Sequence, residues 1–494
     1  MSRWTEFINS PKSCVIAAAG HGKTYAISEC LKELSLSILK PALILTHTHA
    51  GVASIKEKIK ENHIPRESYQ IETITSFAQR YALSFVVDTS VFPDQEQKDY
   101  FPRIQSEAKS ILSKPSIQKI IKLSYSHLFV DEYQDCSLIQ HEIILSLAAV
   151  LPIHIFGDPL QAIFTFDAEP KVNFTQHLMG FLRFNLLETP WRWRVNGNCQ
   201  GLGDRILSLR ESLMNNRQVL LSSDASSNVQ VFLCEADFLD YSNDYYRLIQ
   251  SVLRLFRTGS TLLLVPGFIY NGRLRGNIND RAMIQERIDF RHEFMLIEAI
   301  DDQDYYTLSD SIDNLFISFR RARNKILNIK KALYSLHFKK GDIDEWFHGN
   351  EYIKTRQKEY KEPSLRLQSL FSSFESNPSL TSFRSILRFF SVECHYHNKR
   401  PDIIHAIQLC MNEAISSGDK MRDCMIRYKN RIRRVGRKIE GKCIGTTLLT
   451  KGLEFDNVIV LDAHRFADKQ NFYVAISRAC KNLVIISKEQ VLLF

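Results

Sequence analysis

Short apolar runs alternate with amphipathic stretches along the first 185 residues. The runs are residues 14–18, 42–46, 71–74, 127–130 and 153–156. Each is rich in β-branched or aromatic residues, and the stretches between them have the periodicity of helices. This alternation predicts a parallel sheet with crossover helices. The charged segment 84–122 interrupts the pattern and predicts a small helical insertion.

A second set of apolar runs begins near residue 186. It comprises residues 229–233, 261–265, 443–446, 458–462 and 483–487. Segment 268–441 has a helical pattern and is rich in Phe, Tyr, Arg and Lys. We therefore predict an α/β fold with two parallel-sheet domains, each carrying an insertion. The first domain is 1–83 with 123–185 and has the insertion 84–122, and the second is 186–267 with 442–494 and has the insertion 268–441.

Composition narrows the class of protein. A chain of 494 residues predicts several domains. Lys plus Arg is 64 and Asp plus Glu is 55, a net charge of +9 that permits a polyanionic partner without requiring one. Ten cysteines without a C-x-x-C pair predict reduced thiols of a cytoplasmic protein. The polar N-terminus and short apolar runs predict neither a secretory signal nor a membrane span.

A glycine-containing loop follows the first apolar run. Its sequence is AAAGHGKT, which is Ala17, Ala18, Ala19, Gly20, His21, Gly22, Lys23 and Thr24. The glycines let backbone N–H groups close on an anion, Lys23 can reach the β- and γ-phosphates, and the Thr24 hydroxyl can ligate Mg²⁺. The segment therefore predicts a site for a nucleoside triphosphate.

Two later runs end in polar residues that suit the same site. In LFVDEYQD (residues 128–135), Asp131 is the candidate Mg²⁺ ligand and Glu132 the candidate base for an attacking water. In IFGDPLQAIF (residues 155–164), Gln161 is a neutral amide that can report a γ-phosphate. Taken alone, the Asp131–Glu132 pair has the alternative of a solvated strand end, and the segment with Gln161 has the alternative of an ordinary strand and turn.

The order of six motifs resembles the UvrD/Rep/PcrA family of superfamily 1A DNA helicases. These motifs are AAAGHGKT, VDEYQD, GDPLQAIF, Trp191-Arg192, TKGLEF and YVAISRA, and they span residues 17–479. The resemblance implies two RecA-like domains that clamp ATP and translocate 3′→5′ on single-stranded DNA. It also implies that Arg192 and Arg478 contact the γ-phosphate from the second domain. Gly452 and Glu454 match the motif that contacts nucleotide and DNA backbone.

The residues expected to contact the base of the nucleotide depart from the family pattern. The residue after GKT, usually Arg, is Tyr25, and the family's stacking Tyr is Trp191. We predict that these two rings stack on the base. No Gln precedes the loop, so the preference for ATP over other triphosphates stays open.

The DNA-facing motifs depart further. Candidate DNA contacts that remain are Thr48, Thr73, Ser76, Phe166 and Thr446. Segment 420–442 carries ten Lys or Arg residues, among them Arg433 and Arg434, and is either a phosphate-binding strip or a solvated helix face. The thinned DNA motifs favour a weak or partner-dependent translocase over an efficient unwinder.

The short length and the run GDPLQ with DAEPKVNF also resemble the GajB subfamily, the UvrD-like component of the Gabija antiphage defence system. That resemblance implies a GajA-type partner, an ABC-type ATPase joined to a Toprim nuclease, and binding of DNA ends or single strands.

The leading hypothesis is a DNA-dependent ATPase using ATP and Mg²⁺. A nucleotide- and DNA-gated subunit with little unwinding is the alternative, and a P-loop kinase or GTPase is disfavoured because it would not need Arg192 and Arg478. The fragment Cys394-His-Tyr-His397 lacks a second ligand pair at zinc-like spacing, so a structural role is favoured.

Overall fold

The computed structural model describes residues 3–34, 40–86, 88–93, 99–164, 170–195, 199–289, 293–298, 303–396, 398, 400–435 and 441–494, with the backbone alone at residues 50, 195, 401 and 433–435. These residues form two compact units. The first comprises residues up to 297 together with those from 435 onward, and the second comprises residues 298–434.

Six parallel strands form the first sheet of the larger unit. In spatial order they are Tyr69–Thr73, Ala42–Thr46, Leu128–Val130, Ile153–Gly157, Lys12–Ile16 and Leu182–Arg183. All five pairings are parallel. The carboxyl ends of parallel strands meet at one edge, so the loops 17–24, 131–135 and 158–161 come together there.

Helices cover both faces of this sheet, which explains its almost continuous apolar strands. They are Thr5–Asn9, Lys23–Glu33, His49–Glu61, Ile74–Phe85, Tyr100–Leu112, Pro115–Ser124, Leu138–Ala148 and Phe174–His177. Successive strand residues point to opposite faces. Leu43 and Leu45 thus pack in the apolar cluster that contains Phe77, whereas Ile44 packs in the cluster that contains Ile27.

The second sheet is also six-stranded and parallel. In spatial order its strands are Phe294–Leu296, Lys442–Gly445, Thr261–Leu264, Phe455–Val460, Ala479–Ser487 and Val229–Leu233. The helices of this part are Trp191–Val195, Gln200–Met214, Asn243–Leu253, Ile278–Ile288, Thr447–Thr450 and Lys469–Ile476. Two small antiparallel pairs join Val219–Leu220 to Val491–Leu492 and Phe268–Tyr270 to Arg273–Arg275.

The second unit is helical around its own apolar core. Its helices are Gln303–Arg321, Lys325–Ser335, Lys340–Asp344, Lys361–Ser376, Leu380–Arg388, Pro401–Ser417 and Met421–Val435. One short antiparallel pair joins Phe347–His348 to Tyr352–Ile353. The core is rich in phenylalanine, including Phe319, Phe374 and Phe383.

Single turns of tighter or wider helix complete the secondary structure. Among the described residues, eight are 3₁₀ turns, at Arg66–Ser68, Thr89–Val91, Tyr133–Asp135, Pro159–Gln161, Ala225–Ser227, Phe238–Asp240, Lys358–Tyr360 and Ala463–Arg465, and one is a π turn at Phe389–Glu393. Two of the 3₁₀ turns, Tyr133–Asp135 and Pro159–Gln161, lie at the carboxyl edge of the first sheet and carry candidate site residues.

The predicted α/β fold with two parallel sheets is confirmed. The structure divides the second half differently from the sequence, because the second sheet gains the edge strand Phe294–Leu296 and the compact helical unit begins at residue 298 rather than 268. Helix Ile278–Ile288 packs in the same apolar cluster as that strand. Helices Tyr100–Leu112 and Pro115–Ser124, from the charged segment 84–122, share the core of the first sheet.

All ten cysteines lie in the described part of the chain and are free thiols. None of the described helices has the length and apolar character that a membrane crossing needs.

Candidate nucleotide site

The glycine-containing loop 17–24, here called the phosphate loop after its predicted role, folds as its glycines require. Gly20 and Gly22 have φ of +73° and +80°, in the left-handed region that other residues rarely adopt. A Cβ atom at Gly20 would lie 2.9 Å from Cζ3 of Trp193, so glycine is also needed for close approach. The helix Lys23–Glu33 starts directly after Gly22 and presents its N-terminus to the loop.

The Lys23 ammonium lies inside this loop. It donates to the carbonyl oxygens of Ala17 and Ala18 at 2.8 and 3.0 Å. The side chain is buried, and burial lowers the pKa of Lys23 while the charge of Asp158 opposes that shift. A phosphate would compete with the two carbonyls for the ammonium, as the sequence predicts for this lysine.

Thr24 and Asp131 meet across the loop. The Thr24 hydroxyl donates to Asp131 Oδ2 at 3.1 Å. Burial, followed by the neighbouring charge of Glu132, raises the pKa of Asp131 to about 7, and a bound cation would favour its ionised form. A hydroxyl beside a buried carboxylate fits the oxygen ligands that Mg²⁺ takes, with phosphate and water completing the shell.

Metal sites made of protein side chains alone are not seen in the described residues. No group of three or more His, Cys, Asp or Glu side chains there could hold an ion. Cys394 is half-buried, and burial raises the pKa of its thiol to about 12. His397, the last residue of the Cys394 fragment, lies outside the described residues.

Glu132 adopts a strained backbone conformation with φ of +54°. Its backbone N–H donates to Asp131 Oδ1 at 3.0 Å. Its carboxylate accepts a hydrogen bond from the Gln134 amide, and the Gln134 carbonyl oxygen accepts one from the Asp158 N–H at 3.0 Å. Gln134 therefore orients the candidate base and ties it to the next strand end.

Gln161 lies on that next strand end and is buried. Its amide donates to Asp158 Oδ2 at 3.0 Å, and Asp158 Oδ1 accepts from Arg210 at 2.9 Å. Burial raises the pKa of Asp158, but the charges of Lys23 and Arg210 outweigh it and hold this pKa below its usual value. Sequence reasoning missed Asp158 and Arg210. The aspartate was visible in GDPLQ, whereas nothing in the sequence marked the arginine.

Arg192 reaches the phosphate loop from the helix Trp191–Val195. Its backbone N–H donates to Gly20 O at 3.1 Å. Its guanidinium donates to Glu454 Oε1 at 2.6 Å and to Ser477 O at 2.5 Å. The structure thus brings together Arg192 and Glu454, two residues that the sequence assigned to the nucleotide. Gly452, with φ of +82°, lies two residues before Glu454.

Arg478 is buried beside this group. Its guanidinium donates to Val474 O, Leu453 O and the Ser477 hydroxyl at 3.0 to 3.1 Å. Burial, and then the charge of Arg192, lowers the pKa of Arg478 to about 10, which leaves it charged at neutral pH. Its position is therefore fixed by neutral acceptors, and no carboxylate of the described residues accepts a hydrogen bond from it.

Two aromatic residues that the sequence analysis did not select hold the loop against the second sheet. Trp193 is fully buried and donates from Nε1 to Ala479 O at 2.8 Å. The Tyr473 hydroxyl accepts a hydrogen bond from the Ala19 N–H at 2.9 Å. In the sequence, Trp193 is marked only as the residue after Arg192, and Tyr473 only as the first residue of YVAISRA.

Tyr25 and Trp191 lie at the mouth of the loop. They are 44% and 45% exposed, which leaves their faces open to a base. A Cβ at Gly22 would lie 3.4 Å from Cδ1 of Trp191 and 3.9 Å from Cβ of Tyr25, so both side chains start beside the same glycine. Stacking by this pair stays a prediction.

The candidate DNA contacts have local structural roles. Thr48 and Thr73 are helix N-caps whose hydroxyls accept from the N–H groups of Gly51 and Ser76, both at 3.0 Å. Thr446 precedes the one-turn helix Thr447–Thr450. Phe166 lies outside the described residues, and so do the side chains of Arg433 and Arg434, whose backbone belongs to the helix Met421–Val435.

Comparison with known proteins gives one domain match. Residues 4–167 match the family model of the AAA domain, which covers the phosphate loop, Asp131, Glu132 and Gln161. This third of the chain is therefore similar to AAA domains, in agreement with a nucleotide site. No curated protein matches the chain.

Solved structures similar to the chain include the arterivirus nonstructural protein 10, described as a helicase in complex with DNA. The identity is 13%, the TM-score is 0.27, and the match covers 51% of this chain and 47% of that one. The chain thus spans about half the length of that protein, and a likeness at this level carries no functional argument.

Proposed function

We propose that this protein is a DNA-dependent ATPase of the UvrD-like, superfamily 1A type. It would act as a 3′→5′ helicase or translocase on single-stranded or partly opened DNA. The supporting observation is that arginine-bearing segments of the second sheet meet the phosphate loop of the first, through Arg192 N–H on Gly20 O at 3.1 Å and Ala19 N–H on the Tyr473 hydroxyl at 2.9 Å. A loop closed by a second parallel sheet is what a motor needs to couple hydrolysis to movement.

The residues divide the work as follows. Lys23 and the loop N–H groups would hold the phosphates. Thr24 and Asp131 would hold Mg²⁺, which neutralises charge on the transferring phosphoryl group. Glu132, oriented by Gln134, would position and deprotonate the attacking water.

Segments of the second sheet would supply further positive charge at the γ-phosphate. Arg192 and Arg478 would stabilise the charge that develops on the phosphate oxygens. Gln161 would report the γ-phosphate through its amide. Because the two arginines and the loop belong to different sheets, hydrolysis would depend on how closely the sheets approach.

The test is ATP hydrolysis with and without single-stranded DNA. Lys23→Ala should abolish it, whereas Lys32→Ala on the same helix should not, because Lys32 is an exposed partner of Glu29. Hydrolysis absent from the wild type, or unchanged in Lys23→Ala, would contradict the proposal. Comparing ATP, GTP and CTP in Tyr25→Ala and Trp191→Ala would test the stacking of the base.

One observation favours a second candidate, a nucleotide- and DNA-gated subunit with little unwinding. The hydroxyls of Thr48 and Thr73, expected on the DNA track, already serve as helix caps. Displacement of a strand from a 3′-tailed duplex separates the two functions. Hydrolysis with displacement supports the motor, and hydrolysis without displacement supports the gated subunit.

We also propose, from the sequence resemblance, a role in antiphage defence beside a GajA-type ATPase–Toprim nuclease. Copurification of the native complex followed by mass measurement tests this. Recovery of the chain alone under conditions that preserve complexes would argue against the partner.

A further inference from the structure

The ammonium of Lys451 crosses from the second sheet to the carboxyl edge of the first. The residue lies in the loop between strands Lys442–Gly445 and Phe455–Val460. Its Nζ forms an ion pair with Asp135, donates to Gln161 O at 2.6 Å and lies 3.9 Å from Glu132 Oε2. One side chain thus contacts the loops that carry the candidate base and the candidate γ-phosphate sensor.

This contact is buried. The side chains of Lys451 and Asp135 are 7% and 1% exposed. The ring of Phe164 lies 4.7 Å from Nζ, and Asp135 Oδ1 has no hydrogen-bond partner among the described residues. Desolvating both charges in this way is costly, so a buried ion pair is weak evidence for a role in stability alone.

A short rigid segment connects Lys451 to a candidate DNA contact. Thr450 donates from its N–H and its hydroxyl to Thr446 O, at 3.1 and 2.9 Å. The Thr447 hydroxyl donates to Asn471 at 2.5 Å, on the helix that carries Tyr473. One hydrogen-bonded helical turn therefore connects Thr446 to Lys451, the residue that follows the turn.

We propose that Lys451 is a positioning residue that couples DNA contact on loop 446–454 to the placement of Glu132 and Gln161. The two states are Lys451 engaged with Asp135 and Gln161, and Lys451 withdrawn when the sheets separate. Engagement fixes both loops of the first sheet, and withdrawal releases both together. This inference rests on the proposed DNA-dependent ATPase.

The position of Lys451 predicts which kinetic constant changes. No contact joins its ammonium to residues 17–24 in the described structure, so it should leave binding of ATP unchanged. Its contacts are with groups that act on the attacking water and the γ-phosphate. Loss of Lys451 should therefore lower kcat and its stimulation by DNA, and leave KM for ATP unchanged.

The experiment measures kcat and KM for ATP with and without single-stranded DNA, with thermal unfolding alongside. The variants are Lys451→Met, Lys451→Arg, Asp135→Asn and the double variant Lys451→Met/Asp135→Asn. The matched control is Lys442→Met, which removes a lysine–carboxylate pair with Glu293 from the strand that leads into the same loop.

We expect Lys451→Met to reduce the DNA stimulation of kcat by about 2-fold to 30-fold, the range of measured coupling effects. Lys451→Arg should restore part of it because the charge remains, and Lys442→Met should leave it unchanged. The double variant should regain thermal stability, since no buried charge is left unpaired. It should not regain DNA stimulation, because the contact between the sheets is gone.

Three outcomes decide the matter. Wild-type hydrolysis without DNA stimulation would overturn the proposed function together with this inference. Stimulated wild type with unchanged stimulation in Lys451→Met would overturn this inference alone. Recovery of stimulation in the double variant would show that the pair acts only through stability, and would also overturn it.

Discussion

Gly20→Ala should reduce ATP hydrolysis while the protein stays folded. The residue has φ of +73°, and the new Cβ would lie 2.9 Å from Cζ3 of Trp193 and 3.0 Å from Cβ of Arg192. Neither neighbour can give way easily, because Trp193 is fully buried and both terminal nitrogens of the Arg192 guanidinium donate hydrogen bonds. The substitution therefore pushes the phosphate loop away from Arg192.

The expected loss of kcat follows from two free-energy costs of the added methyl group. A non-glycine residue in the left-handed region costs about 1–2 kcal/mol. An added methyl in a packed site costs about 1–3 kcal/mol. If about 2 kcal/mol of this falls on the contact between the loop and Arg192 in the transition state, kcat drops by about 30-fold.

The assay is steady-state ATP hydrolysis with single-stranded DNA, with circular dichroism to confirm folding. Gly418→Ala is the matched control, because Gly418 has φ of +78° and no atom within 4 Å of a new Cβ. Gly20→Ala in a Trp193→Phe background should recover part of the activity, because the contacts with Cζ3 and Cη2 of Trp193 are removed while the contact with Arg192 Cβ and the positive φ remain. Unchanged kcat in Gly20→Ala, or an equal loss in Gly418→Ala, would refute the reasoning.

Three further predictions concern residues on or next to the second sheet. Trp193→Ala should lower the free energy of unfolding by about 3–5 kcal/mol in a urea titration, whereas Trp191→Ala, at 45% exposed, should change it by less than about 0.5 kcal/mol. Arg478→Lys keeps the charge but cannot reproduce three hydrogen bonds in a fork, so kcat should fall by about 10³-fold, and a kcat near that of the wild type would argue against its role. Burial raises the pKa of Asp462 to about 7, so the native state holds an extra proton between about pH 4 and about pH 7 and loses stability as the pH rises through that range. The stability gained by Asp462→Asn should then be larger at about pH 7.5 than at about pH 4.5, and an equal gain at both would contradict this linkage.

The sequence pattern identified the central strands better than the edge strands. Runs 42–46 and 261–265 match the central strands Ala42–Thr46 and Thr261–Leu264 to within one residue, because an apolar run of this length buried between helices has few other structures open to it. Leu182–Arg183 and Phe294–Leu296 were missed. They are two and three residues long, and backbone pairing with a neighbouring strand, which no local pattern reveals, makes them strands.

The boundary of the second sheet was likewise not predictable from the local sequence pattern. Residues 268–297 contain a hairpin, a helix and a short strand, and their amphipathic pattern resembles that of the helical segment that follows. Ile284 and Leu296 nevertheless pack in the cluster that contains Ile459 of the second sheet. Only the tertiary packing of these residues assigns the segment to the sheet.

The motifs themselves explain why some site residues were predictable and others were not. In DEYQD, Asp131 faces Thr24 of the phosphate loop, whereas Asp135 faces Lys451, 316 residues away along the chain. The role of Asp131 was predictable because a carboxylate that follows a strand downstream of such a loop is a common Mg²⁺ ligand. The role of Asp135 was not predictable, because it depends on contact with a residue far away in the sequence.

The same division occurs in the two motifs of the second sheet. In TKGLEF, Glu454 accepts from Arg192 near the phosphate loop, whereas Lys451 reaches the first sheet. In YVAISRA, Arg478 is held within its own sheet, whereas the hydroxyl of Tyr473 bonds the loop. Under the proposed function, each motif therefore combines a residue for the nucleotide with a residue for contact between the sheets. A change at either kind of position should alter hydrolysis, but only the second kind should alter how hydrolysis responds to DNA.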